Sequence, residues 1–172
     1  MVKIVTILIL IIILSSCLNK NSSKTDNTKI IFRYSKFITV DFETQMLKID
    51  YAGLNKSLPI SISKVEDSLI ISSFSKNKIE EIKGEFSYPD CNWLMPSFED
   101  KIEIYENQKL KSTIFFNENS NCPLQKTKPD SKEYRITNFV GDTKKVLENN
   151  SDFKRALDTL NKFRKQKKVL FL

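Results

Sequence analysis

The sequence predicts an α+β domain, in which a mostly antiparallel β-sheet carries a middle helix over about residues 64–75 and a C-terminal amphipathic helix over about 151–167 packed on it. Three patterns point there. Short segments alternate apolar with polar residues, as where Leu47, Ile49 and Tyr51 alternate with Lys48 and Asp50. Two such segments lie either side of Asn107-Gln108-Lys109, close enough to pair as a hairpin. Phe153, Ala156, Leu157, Leu160 and Phe163 recur at helical spacing and form one stripe.

In chain order, residues 30–38 (IIFRYSKFI) and 45–52 (QMLKIDYA) read as strands joined by a turn at 41–44. Ser63 and Glu66 are spaced as a capping box, with Ser at the N-cap and Glu at N3. They open the helix over 64–75, on which Val65, Leu69, Ile70 and Phe74 share a face. A strand over 82–88 follows. In the hairpin of 101–106 with 110–117, a three-residue loop pairs Ile102 with Ile114 and Ile104 with Ser112. A two-residue loop would set Ile104 against Lys111 and mix buried with solvated positions. Residues 133–140 read as a further strand. Ser151 can cap the last helix, which has Asp152 near its start and Lys162, Arg164, Lys165, Lys167 and Lys168 near its end, as the helix dipole favours.

Composition narrows the chemistry. With 40% apolar and 28% charged residues, the chain lies near the average of folded soluble proteins, and its 172 residues suit a single domain over 30–172. It contains no histidine, the commonest general base and metal ligand and the usual partner of a nucleophilic Ser or Cys. Its three glycines, Gly53, Gly84 and Gly141, compose no phosphate-cradling loop. The formal charge of +7 is modestly basic. The basic run at 162–168 could meet acidic headgroups, lipopolysaccharide phosphates or nucleic acid, but it reads first as a dipole-matched, solvated helix end.

The first residues have the anatomy of a signal peptide. Lys3 supplies a positive start, residues 4–14 are apolar apart from Thr6, and the small residues Ser15 and Ser16 follow. The run is short for a membrane span, which needs about 20 apolar residues. Leu14-Ser15-Ser16-Cys17 resembles the lipobox of bacterial lipoproteins. The resemblance implies cleavage of residues 1–16 and acylation of Cys17 (palmitate among the chains), and two or more such chains anchor a protein stably. Residues 18–29 are polar after Leu18 and read as a flexible tether extending from Cys17. Leu18 in place of Asp, by resemblance to the sorting rule of such proteins, implies the outer membrane, with the domain facing the periplasm, over the inner one. The export signal also takes the chain away from nucleic acid.

Of the three cysteines, acylation of Cys17 leaves an even pair, Cys91 and Cys122. A disulfide between them would close a loop of about 30 residues, worth roughly 3.5 kcal/mol in the chain-entropy model, and the alternative is two separately buried thiols. Asp90, Trp93 and Met95 lie in the proline-bounded loop 89–96 and are the candidate partner contacts, although a tryptophan there also suits a core plug. Asp90, Glu99, Asp100 and Glu103 form an acidic cluster, but their spacing shows neither a glycosidase cleft nor a calcium loop, so charged strand ends account for them. No metal or cofactor is expected.

These readings converge on a lipid-anchored, extracytoplasmic binding or envelope-interaction module without catalytic activity, of inhibitor or immunity type. Its expected partners are the membrane, through the acyl chains, and an envelope protein. Two other readings stand beside it: a hydrolase using Asp90 with Glu99 or Asp100, and a structural component of an envelope assembly, which would present a large apolar patch.

Overall fold

Alternating apolar residues make strands because successive side chains of extended backbone point to opposite faces, so one face can be buried while the other stays in water. In a computed structural model of the chain, which describes residues 28–87, 100–116 and 128–167, this principle builds a seven-stranded sheet. Four strands form an antiparallel meander: Thr28–Ser35 (β1), Ile38–Asp41 (β2), Met46–Tyr51 (β3) and Leu54–Pro59 (β4). The helix Lys64–Lys76 (α1), a 3₁₀ turn at Ile79–Glu81 and the short strand Gly84–Ser87 (β5) follow. The hairpin Asp100–Glu106 (β6) and Lys109–Phe116 (β7) precedes two helices, Lys132–Asn149 (α2) and Ser151–Lys167 (α3). The order across the sheet is β4-β3-β2-β1-β6-β7-β5, with only β5 on β7 parallel. The fold is α+β, with the C-terminal helices packed on the sheet.

Several elements differ from the sequence reading. The expected strand over 133–140 is the first half of α2: Tyr134, Ile136 and Val140 mimic alternation, but Ile136, Phe139, Val140, Thr143 and Leu147 are the buried set and follow the helical period. The reading that ends this pair of strands at Ala52 misses β4, which returns through a two-residue turn where Ala52 (φ 44°) and Gly53 (φ 90°) are both left-handed. Residues 30–38 break into β1 and the start of β2. The strand expected over 82–88 is shorter, and residues 79–81 before it are 3₁₀.

The β6–β7 loop is a two-residue turn, Asn107 and Gln108 with φ 52° and 64°, not the three-residue loop expected. The expected facing pairs survive nonetheless, because a bulge after Ile104 leaves Ile104 opposite Ser112 while Tyr105 moves opposite Leu110. On α1 the capping box forms as expected, Ser63 Oγ accepting from Glu66 N at 3.2 Å and Glu66 Oε2 from Ser63 N at 2.8 Å. The buried face of α1 is Ile70, Ser73 and Phe74, however, and Val65 and Leu69 are 69% and 55% exposed.

The core lies between one face of the sheet and the helices. Phe32, Ile38, Leu47, Ile49, Ile102 and Ile114 from the strands meet Phe139, Leu147, Phe153 and Leu160 from α2 and α3, and α1 packs on α2 with Phe74 edge-on to Phe139 at 5.7 Å. At roughly 1.5–3 kcal/mol for each large side chain taken from water, this layer dominates the favourable side of folding. Phe153, Ala156 and Leu160 are buried as expected, with Leu157 and Phe163 partly so.

The cap of α3 is Asn150, not Ser151. Asn150 Oδ1 accepts from the backbone N–H groups of Asp152 (3.0 Å) and Phe153 (3.1 Å). Its Nδ2 donates to Ser61 O (2.9 Å) and Glu66 Oε1 (3.1 Å), tying the α2–α3 junction to the loop that leaves β4. Ser61 N in turn donates to Asp152 Oδ2 at 2.8 Å, and this bond, with that from Arg155, holds the Asp152 carboxyl below its usual range.

Two sets of substitutions check these assignments. Ile70→Ala is expected to cost about 2–5 kcal/mol in denaturant unfolding, while Leu69→Ala changes stability by less than about 0.5 kcal/mol. Asn150→Ala, which removes a cap and two further bonds, is expected to cost about 1–3 kcal/mol, whereas Ser151→Ala stays within about 0.5 kcal/mol.

Candidate functional site

Because α2 and α3 cover one face of the sheet, the alternate residues of the same strands form a second face on which no described element packs. Strand register decides what meets there. Arg33 on β1 lies opposite Thr39 on β2, Thr39 opposite Lys48 on β3, and Lys48 opposite Ser57 on β4. A second row sets Asp41 opposite Ile31, Ile31 opposite Glu103 and Glu103 opposite Thr113.

The acids of this face are largely engaged. Asp41 pairs with Lys29 at 2.7 Å, Glu43 approaches the same lysine at 3.5 Å, and Glu103 binds Lys101 and accepts from Tyr105 OH at 3.5 Å. Partial burial pushes the Asp41 carboxyl up, but hydrogen bonds from Lys29 and from Thr44 outweigh it and hold the group below its ordinary value. Lys29 is raised, chiefly by its bond to Asp41. Arg33 and Lys48 have no such partner: among the described residues neither makes an ion pair or side-chain hydrogen bond.

An open recess of 480 Å³ lies beside them, where the β1–β2 and β3–β4 turns come together. Arg33, Lys36, Thr39, Lys48 and Asp50 supply its polar lining, and Phe37, Tyr51 and Ala52 the rest. Phe37 meets Tyr51 edge-on at 4.6 Å, and the Lys36 ammonium sits 5.5 Å from the Phe37 ring centre. Arg164, from the basic end of α3, lies 5.7 Å from the ring centre of Tyr51, so the C-terminal basic run reaches a residue of the recess wall.

Of the residues singled out in the sequence, Cys17, Asp90, Cys91, Trp93, Met95, Glu99 and Cys122 lie outside the described residues. Asp100 and Glu103 sit on β6, Asp100 opposite Phe116 and Glu103 tied to Lys101. The basic recess was not anticipated: Arg33, Thr39 and Lys48 are separated in sequence by two turns, and only the register of three strands brings them into a row. Among the described residues no helix is long and apolar enough to cross a membrane. Comparison with protein-family models, with curated proteins and with solved structures finds no match.

The Lys29–Asp41 pair carries a pH signature. A carboxyl whose folded pKa is lowered adds stability above its ordinary value of 3.8, and that stability disappears as the pH falls through the folded pKa. Asp41→Asn keeps an oxygen for the backbone N–H groups of Glu43 and Thr44 but loses the charge. It is expected to lower stability at pH 7 by no more than about 1 kcal/mol, and the deficit should vanish in acid, as read from urea unfolding across the pH range.

Proposed function

We propose that this protein is a lipid-anchored, extracytoplasmic binding module without catalytic activity, of inhibitor or immunity type, held through acylated Cys17. The one-sided sheet carries this reading: the face on which no described element packs is largely polar and built on paired strands, which suits recognition of a partner. The sequence supports the address, since the lipobox-like Leu14-Ser15-Ser16-Cys17 follows an apolar run of signal-peptide length. The absence of histidine from the chain supports a non-catalytic role. On this reading the tether, expected over residues 17–29 but ending where β1 begins at Thr28, holds the domain beside an outer membrane, on its periplasmic side, and Asp90, Trp93 and Met95 offer a further contact to an envelope protein.

Intact mass and membrane partitioning of the chain expressed in a bacterial host test the anchor. The wild type is expected to lack residues 1–16, to carry the added mass of acyl chains and to sediment with membranes, whereas Cys17→Ser carries no lipid and is released. A wild-type mass without acyl chains would overturn the reading.

A further inference from the structure

The recess on the open face has a charge pattern that the proposed binding role leaves unspecified. We infer that it is a binding site for a phosphate-type oxyanion carried on a hydroxylated body, such as a polyol phosphate, with Arg33 and Lys48 as the cations that receive the oxyanion. The inference deepens the binding-module reading and rests on it only for the compartment.

Arg33 and Lys48 are two strand positions apart in one row, about 10 Å between backbones at 4.7–4.9 Å per strand, with Thr39 between them. Two long cationic side chains rooted at that separation can converge on one group above the threonine, and the Thr39 hydroxyl can donate to the same group. A guanidinium offers paired donors matched to the edge of a phosphate, and an ammonium adds a compact charge.

Charge pairing supports the assignment. Lys29, Lys101 and Lys111 are each matched by an acid, Lys111 with Glu106 at 3.1 Å, while Arg33 and Lys48 make no ion pair among the described residues. Two like charges on one face repel each other, and an anion between them relieves that repulsion. Asp50 sets the rest of the ligand. Its carboxylate lines the same recess, where it accepts hydrogen bonds from the hydroxyl groups that a polyol ester carries beside its phosphate. The recess therefore favours an ester over the free ion.

A soluble metabolite and a lipid headgroup can both present this chemistry. Calorimetric titration of the full-length protein in non-ionic detergent separates them, using glycerol phosphate, inorganic phosphate and detergent micelles doped with phosphatidylglycerol. Glycerol phosphate is expected to bind more tightly than inorganic phosphate, and Arg33→Gln/Lys48→Gln to weaken it at least about 30-fold, two charge-assisted contacts being lost. Lys29→Gln, which alters a matched cation, is expected to change it less than about threefold. Binding only of the doped micelles, lost in the double variant, assigns the same site to a headgroup.

A double variant that binds as the wild type does overturns the site, as does absence of binding in every arm. Tighter binding of inorganic phosphate than of its glycerol ester overturns the part given to Asp50. Thermal melting shows whether the double variant is folded, and Lys48→Gln alone, a change at an exposed strand position, repeats the test with a smaller expected loss of about fivefold if it is not. Since the titration needs no acyl chain, binding by a chain found unlipidated would retain the site and discard the anchor. A lipidated chain that binds nothing would do the reverse.

Discussion

The molecule is organised by a constraint on extended chain: a strand has two faces, and the described helices reach only one of them. Phe32, Ile38, Leu47, Ile49, Ile102 and Ile114 are committed to the covered face, so the residues between them must live at the surface. Their identity then becomes available for something other than packing. Arg33, Thr39 and Lys48 stand in a row because Phe32, Val40 and Leu47, each one residue away, are held in the core. The position of the recess is thus inherited from the packing behind it, and a slip of one residue in β1 or β3 would bury a cation and expose a phenylalanine or an isoleucine.

The helical layer is fixed to the sheet at a polar joint as well as through apolar contact. Asn150 uses both ends of its amide, its oxygen closing the first turn of α3 and its nitrogen reaching Ser61 and Glu66. Glu66 belongs at the same time to the capping box of α1. The starts of two helices and the exit from β4 therefore share a single hydrogen-bonded cluster. A second polar contact, Ser73 Oγ donating to Asp142 Oδ2 at 2.8 Å, sets the register of α1 on α2.

Much of this architecture is legible in sequence where a pattern is local. Alternation marks β3 and both strands of the β6–β7 hairpin, and the stripe of α3 appears without ambiguity because Phe153, Ala156 and Leu160 repeat over several turns. Reading fails where two periods overlap: Tyr134, Ile136 and Val140 satisfy a period of two over a short window, and only extension to Thr143 and Leu147 reveals the helix. It fails again at β4, an edge strand of mostly exposed residues whose turn puts Ala52, a residue with no turn preference, before Gly53. On α1 the helix is evident but its buried side is not, since Val65 and Leu69 are as apolar as Ile70 and Phe74 and tertiary contacts alone choose between them. The recess belongs to the same class of hidden information, because cross-strand neighbours are distant in the chain.

The path from β4 to β5 bears on how such a chain assembles. β1 to β4 pair by short turns between neighbours, so that half of the sheet can form from local contacts alone. The other half cannot: β6 must find β1, and β5 must align in parallel with β7 after α1 has carried the chain from one edge of the sheet to the other. Non-local closures of this kind are slow compared with hairpins. Until they occur, β1 presents an unpaired edge with apolar Ile30 and Phe32 beside it, a template for association with another strand. The bond between β1 and β6 is therefore the seam where folding and aggregation compete, and the speed with which the hairpin reaches it sets how much of the protein survives its own synthesis.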